Sequence, residues 1–260
     1  MRLLSTTLFF LLVISNLTAQ NNRTFSANNF TPINPESFNV IAPGSILYLD
    51  AGNTSSYSGT GTTWNDISGK LNNMNIPATV ASSFTNTNGG SFLFAQSSTN
   101  TIVNTSLNNF IFSNNAISVE VWYKRVATTD YQFWVSDNTA NYRFGTNSAG
   151  NLFWNMGSRS DRSYNSYTLP TGVWKHIVVT GGLEAGVIVM RYYVDGVLVI
   201  SNNEVITSLP SFTSLLIGSG ELNSIYLLKG NLAVCRVYSK ALSATEVLQN
   251  FTVNKSRFGL

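Results

Sequence analysis

The chain has 260 residues, 43% of them hydrophobic, which is ample for a sizeable core in one or two domains. Only 10% are charged, the formal net charge is +3, and Lys124-Arg125 is the only adjacent basic pair, so there is no electrostatic footprint for nucleic acid. The single cysteine, Cys235, rules out an intramolecular disulfide, and with one histidine, His176, it rules out the usual zinc sites.

Residues 1–19 read as a secretory signal peptide. Arg2 gives a positive start, residues 8–14 form an apolar core, and Thr18-Ala19 supply small residues before a cut after Ala19. The apolar run is shorter than the ~20 residues a membrane span needs, and no other segment is long enough. The expected product is secreted, periplasmic or held at the cell surface, with no membrane span after leader removal. Residues 20–44 are Asn-rich, carry Pro32 and Pro35, and read as a partly mobile lead-in with a candidate edge strand at residues 38–41.

The domain proper is expected over residues 45–260. Residues 45–50 open it as a strand, a polar loop follows over 51–61, and Phe92 and Phe94 share one face of a later strand. On the strand 117–125, Val119, Val121 and Tyr123 face one way. Ser118, Glu120, Trp122 and Lys124 face the other. Residues 142–144 and 152–154 pair across a turn at 147–150. Between residues 171 and 200, two β-branched runs are joined by a turn over 181–186 and closed by Asp195-Gly196. That dipeptide suits a type I′ hairpin because both central residues need positive φ. It would set Val194 opposite Val197, Tyr193 opposite Leu198 and Tyr192 opposite Val199. Ser243 with Glu246 forms a capping box, after which Val247, Leu248 and Phe251 share a helical face. Many short strands, turn signals between them and one terminal helix predict an all-β fold: a two-sheet antiparallel β-sandwich of jelly-roll type with one short C-terminal helix.

The order of motifs resembles the concanavalin A-like lectin/glucanase superfamily, in particular the laminin-G-like jelly-roll domains of secreted bacterial and phage proteins. The likeness is carried by residues 47–53 (LYLDAGN), 64–69 (WNDISG), 117–122 (ISVEVW), 172–178 (GVWKHIV), 193–196 (YVDG) and 229–243 (KGNLAVCRVYSKALS). It implies a domain that binds, most often a glycan, rather than one that catalyses. Relatives often hold a structural calcium, and Asp50 and Asp66 stand at matching positions. The acidic pair that many relatives carry in the last strand is here Ala233 and Val234, a departure that leaves a calcium site in this chain open.

The residues themselves offer little catalytic chemistry. A glucanase needs two carboxylates flanking one bond, and Glu120 is alone on its strand. His176 lacks a nucleophile elbow and is expected beside Trp174 at a strand start. Cys235, inside an apolar run, reads as a buried hydrophobe. Aromatics are the positive signal. Tyr131, Trp134, Tyr142, Trp154, Tyr164 and Tyr167 interleave with Asn138, Asn141, Arg143, Asn155, Arg159, Asp161 and Arg162. Sugar C–H faces stack on rings while sugar hydroxyls pair with Asn, Asp and Arg. The candidate ligand-binding set is therefore Tyr131, Trp134, Tyr142, Arg143, Trp154, Arg159 and Asp161, with residues 158–167 as a long surface loop. The same rings also suit a sandwich core, and sequence does not separate the two. Two further readings stay open: a structural or protein-interaction domain of an envelope or phage appendage, and a glycoside hydrolase.

Overall fold

The computed structural model describes residues 43–104, 115–138, 142–156, 162–204, 208–209, 214–220 and 226–260. The chain divides into two units, Met1–Phe38 and Asn39–Leu260. The leader, the lead-in up to residue 42 and the strand expected at 38–41 lie outside the described residues.

Two antiparallel sheets form a sandwich, as the alternating short runs predict. The strands are β1 (Ser45–Asp50), β2 (Thr63–Trp64), β3 (Met74–Asn75), β4 (Phe92–Ala95), β5 (Ile102–Asn104), β6 (Ala116–Arg125), β7 (Gln132–Ser136) and β8 (Tyr142–Thr146). They continue as β9 (Asn151–Met156), β10 (Arg162–Thr168), β11 (Trp174–Glu184), β12 (Val187–Val194), β13 (Val197–Glu204), β14 (Leu215–Ile217) and β15 (Lys229–Tyr238). A short helix α1 (Ala78–Ala81) precedes β4, and α2 (Ala244–Asn254) follows β15. The seven-stranded sheet runs β1-β15-β6-β11-β12-β13, with β4 also on β15. The eight-stranded sheet runs β10-β9-β8-β7-β14-β5-β3-β2.

The main core lies between the sheets. Val119, Val121 and Tyr123 of β6 face it, with Cys235 and Val237 of β15 and Trp134, Tyr142, Phe144, Leu152 and Trp154 of the opposite sheet. The alternation on β4 follows the expectation: Phe92 and Phe94 are buried and Leu93 is exposed.

The hairpin at Asp195-Gly196 forms with φ of 51° and 80°, the positive pair that a type I′ turn demands. Val194 pairs with Val197 and Tyr193 with Leu198. A register shift then sets Tyr192 opposite Ile200 instead of Val199, because a bulge adds one residue to β13. The turn before it is tighter than expected. β11 continues through Gly181, Gly182, Leu183 and Glu184, and only Ala185 and Gly186 turn, both with positive φ.

α2 carries both halves of its capping box. Its buried face differs from the expected one: Val247 is buried, Phe251 is half-buried, and Leu248 is 51% exposed, while Asn250 is fully covered. A polar residue takes that position because a charged network lies beneath it.

Candidate functional site

The outer face of the seven-stranded sheet is closed rather than open. Ser118, Glu120 and Trp122 of β6 leave the core side, yet all are buried: Ser118 bonds Lys240 and Leu242 in the link to α2, Glu120 lies under Asn250 of α2, and Trp122 lies under Phe258 of the 3-10 turn Lys255–Phe258. Trp122 stacks on Phe258 at 4.1 Å between ring centroids and lies 5.0 Å from the His176 ring. His176 thus packs against Trp122 on the neighbouring strand, on the face of β11 that also carries Trp174.

Glu120 collects four donors there. Its Oε1 accepts from Arg236 and from His176 Nε2 at 3.1 Å; its Oε2 accepts from the Tyr238 hydroxyl at 2.9 Å and from Asn250 Nδ2 at 2.8 Å. A carboxylate only accepts, so His176 carries its proton on Nε2. Burial pushes the Glu120 carboxyl up, but the Arg236 charge and the bonds from His176 and Tyr238 pull it further down, to about 2. All five residues are at most 1% exposed. A group sealed in this way meets no substrate, so the cluster fastens α2 to the sheet. Sequence reading missed it because its members come from three strands and a helix. The available signal was Glu120 sharing a face with Ser118 and Trp122 on one strand.

Asp50 and Asp66 are each held by protein donors. Arg257 binds both oxygens of Asp50, at 2.7 and 2.9 Å, and neutralises it. Asp66 accepts from the amides of Tyr48, Ser68 and Asn72 and from the Ser68 hydroxyl, which folds its own loop. Among the described residues no group of three or more His, Cys, Asp or Glu side chains comes together.

Three of the rings expected to meet a ligand are core. Trp134, Tyr142 and Trp154 are 1%, 0% and 2% exposed and point between the sheets, so no ring face is open for stacking. The reason is register: Leu152, Trp154 and Met156 share the inward side of β9. Residues 158–167 are not one loop either, since Arg162–Thr168 is β10, paired with β9. Arg159 and Asp161 lie outside the described residues.

What the structure brings together instead is the opposite side of the same strands. Phe133, Gly145 and Phe153 lie in one row across β7, β8 and β9. Gly145 is required there, because a Cβ would overlap the Gln132 carbonyl. With no side chain between them, the Phe133 and Phe153 rings meet edge to face at 5.3 Å. Tyr131 closes on Phe153 at 5.2 Å, and Tyr226 closes on Tyr131 at 5.5 Å. Arg143, on the same face, lies over the Phe133 ring at 5.9 Å and donates through Nε to the Gly220 carbonyl at 3.2 Å. Asn155 stands opposite Arg143 in register. Phe133 and Phe153 are buried, while Tyr131, Tyr226 and Arg143 keep part of their surface in solvent. Of the expected set, this face holds Tyr131 and Arg143.

A family model described as the concanavalin A-like lectin/glucanases superfamily matches residues 96–248, more than half of the chain. The chain belongs to this superfamily, as a laminin-G-like domain. No curated protein matches it by sequence. Among solved structures, the binding domain of paraclostridial mosquitocidal protein 1 is similar with a TM-score of 0.61 and 16% identity, covering 81% of this chain and 52% of that one. The ligand-binding domain of botulinum neurotoxin serotype D, solved with N-acetylneuraminic acid, gives 0.62 and 17%, covering 81% and 51%. Trypanosoma rangeli sialidase gives 0.60 and 14%, covering 84% and 34%. This laminin-G-like chain thus spans about half or less of the structures it matches, and at these identities the likeness is one of fold.

Proposed function

We propose that this protein is an exported, non-catalytic glycan-binding domain that takes its ligand on the outer face of the eight-stranded sheet. One observation carries the reading: the Phe133–Gly145–Phe153 row builds a rigid aromatic floor, and part-exposed Tyr131, Tyr226 and Arg143 edge it. Rings with one face supported and another in water, beside an arginine and an asparagine, suit stacking on sugar C–H faces with polar fixing of hydroxyls. The serotype D domain with bound N-acetylneuraminic acid supports the ligand class, as does a botulinum neurotoxin type C structure described by its interaction with two ganglioside molecules. The leader read over residues 1–19 supports export. Glu120, the acid on the central strand, is sealed under α2, which supports a domain that binds without hydrolysing.

The test is a broad array of neutral and sialylated glycans probed with the mature protein, with calcium and with a chelator, alongside Tyr131→Ala and Tyr226→Ala. Binding that both substitutions weaken, without loss of cooperative unfolding, supports the reading. No signal above background on the array removes it.

A second reading, a protein-interaction domain, is favoured by one feature. β13 is an edge strand of the seven-stranded sheet, and Val197 and Leu198 at its start are 63% and 48% exposed. Loss of partner capture in a Val197→Lys, Leu198→Lys variant that still binds glycans would separate the two surfaces.

A further inference from the structure

Arg125 is the last residue of β6 and follows Val119, Val121 and Tyr123 on the inward side. It therefore reaches into the gap between the sheets where β6 leaves the sandwich. It is 5% exposed, covered by its immediate neighbours rather than by depth. Gly150, in the β8–β9 turn, lies flat on the guanidinium: a Cβ there would fall 2.6 Å from Cζ and from both terminal nitrogens.

The side chain is charged, covered and largely unspent. Nη1 donates to the Leu169 carbonyl at 3.2 Å. Among the described residues, Nε has no partner, Nη2 makes no hydrogen bond, and no carboxylate pairs with the group. The other buried arginine, Arg236, faces Glu120. A second unspent polar group lines the same end. The Thr146 hydroxyl, fully buried and without a partner, stands at the head of the turn that carries Gly150. Thr146 is opposite Gln132, whose Nε2 donates to the carbonyl of Val126, the residue after Arg125. A buried cation without a counter-charge is costly, and a bound anion removes the cost. Nε is unpartnered but covered, so the nitrogen that a ligand can reach is Nη2, which can donate to a carboxylate oxygen.

We propose that Arg125 forms a carboxylate-binding site at the inter-sheet rim, between the β8–β9 turn and Leu169. The site is separate from the aromatic face and stands whether or not that face binds glycans. The carboxylate can come from a sugar acid or from an acidic peptide end, and the geometry at Arg125 is the same for both.

Thermal unfolding of the mature protein in a low-salt buffer free of carboxylates tests the site, with acetate, glucuronate, a short peptide with a free C-terminus, sulfate and uncharged glucose added in turn. The three carboxylates are expected to raise Tm, by roughly 5–10 °C at one hundred times Kd, with glucose giving none and sulfate less. A larger effect from glucuronate assigns a sugar acid; a larger effect from the peptide assigns a protein ligand. Arg125→Met keeps the stem and removes the charge; it is expected to fold, with Tm in the anion-free buffer at least equal to wild type, and to lose the carboxylate effect. Arg125→Lys, which keeps a charge without the fork, is expected to retain a reduced effect. No carboxylate-dependent rise in the wild type, or the same rise in Arg125→Met, overturns the proposal.

Discussion

Asn250 of α2 donates its Nδ2 to Glu120 Oε2 at 2.8 Å, so a residue of the terminal helix completes the coordination of a carboxylate in the middle of the sheet. Hydrogen bonds to a charged group contribute about 1.5–3 kcal/mol, whereas stranding a buried charge costs about 3–5 kcal/mol. Asn250→Ala is therefore expected to be the milder change. Glu120→Gln, which leaves Arg236 without its counter-charge, is expected to be the more severe. Urea unfolding of both variants checks the order, and equal midpoints would mean that the network adds little to its parts.

Acid sensitivity follows from the same carboxylate. Its pKa is lowered in the folded protein, from 4.5 to about 2, so below about pH 4.5 the unfolded chain binds a proton that the folded one refuses. Stability contributed by Glu120 is full above pH 4.5 and is lost as pH falls through 2. The expected result is a midpoint that declines over that window, with a shallower decline in Glu120→Gln. Chemical denaturation at half-unit steps from pH 6 to 2 reads it.

The two classes of ring separate by substitution. Trp134→Ala and Trp154→Ala each remove a buried core ring and are expected to cost about 3–5 kcal/mol, abolishing or broadening the thermal transition. Tyr131→Ala and Tyr226→Ala are expected to cost about 1 kcal/mol and leave the transition sharp. Near-UV circular dichroism with thermal melts distinguishes them; a sharp, wild-type melt for Trp154→Ala would contradict its place in the core.

Gly145→Ala probes the floor of the aromatic face. The added methyl would overlap the Gln132 backbone, so β7 and β8 must part, and the Phe133–Phe153 contact opens with them. A loss of about 2 kcal/mol or more is expected, together with weakened ligand binding if the face is the site. Unchanged stability would show that β8 is free to shift.

Much of this architecture is legible in the residues. The Asp195-Gly196 turn, the Ser243–Glu246 box and the alternation on β4 and β6 are local, and local chemistry decides them. The missed features are those set by another part of the chain. Asn250 replaces the expected Leu248 on the buried face of α2 because Glu120, 130 residues away, needs a donor. The ring assignment failed at adjacent pairs, Phe133-Trp134 and Phe153-Trp154, where one ring must face in and the other out. Trp154 shares its side of β9 with Leu152 and Met156, whereas Phe153 shares its side with Asn155. That pattern was readable and marks the phenylalanine as the outward ring. Gly145, which lets the two phenylalanines meet, has no such local signature.

β1 and β15 pair along their length, with Asp50 opposite Val234. The first strand of the sandwich therefore waits for a partner synthesised some 180 residues later, and β6 waits for the same one. Contacts of such long separation form slowly, and a chain built on them cannot close into a domain while still emerging from the ribosome. The seven-stranded sheet is complete only once Tyr238 has been made, although the β7–β8–β9 and β11–β12–β13 pairings are local.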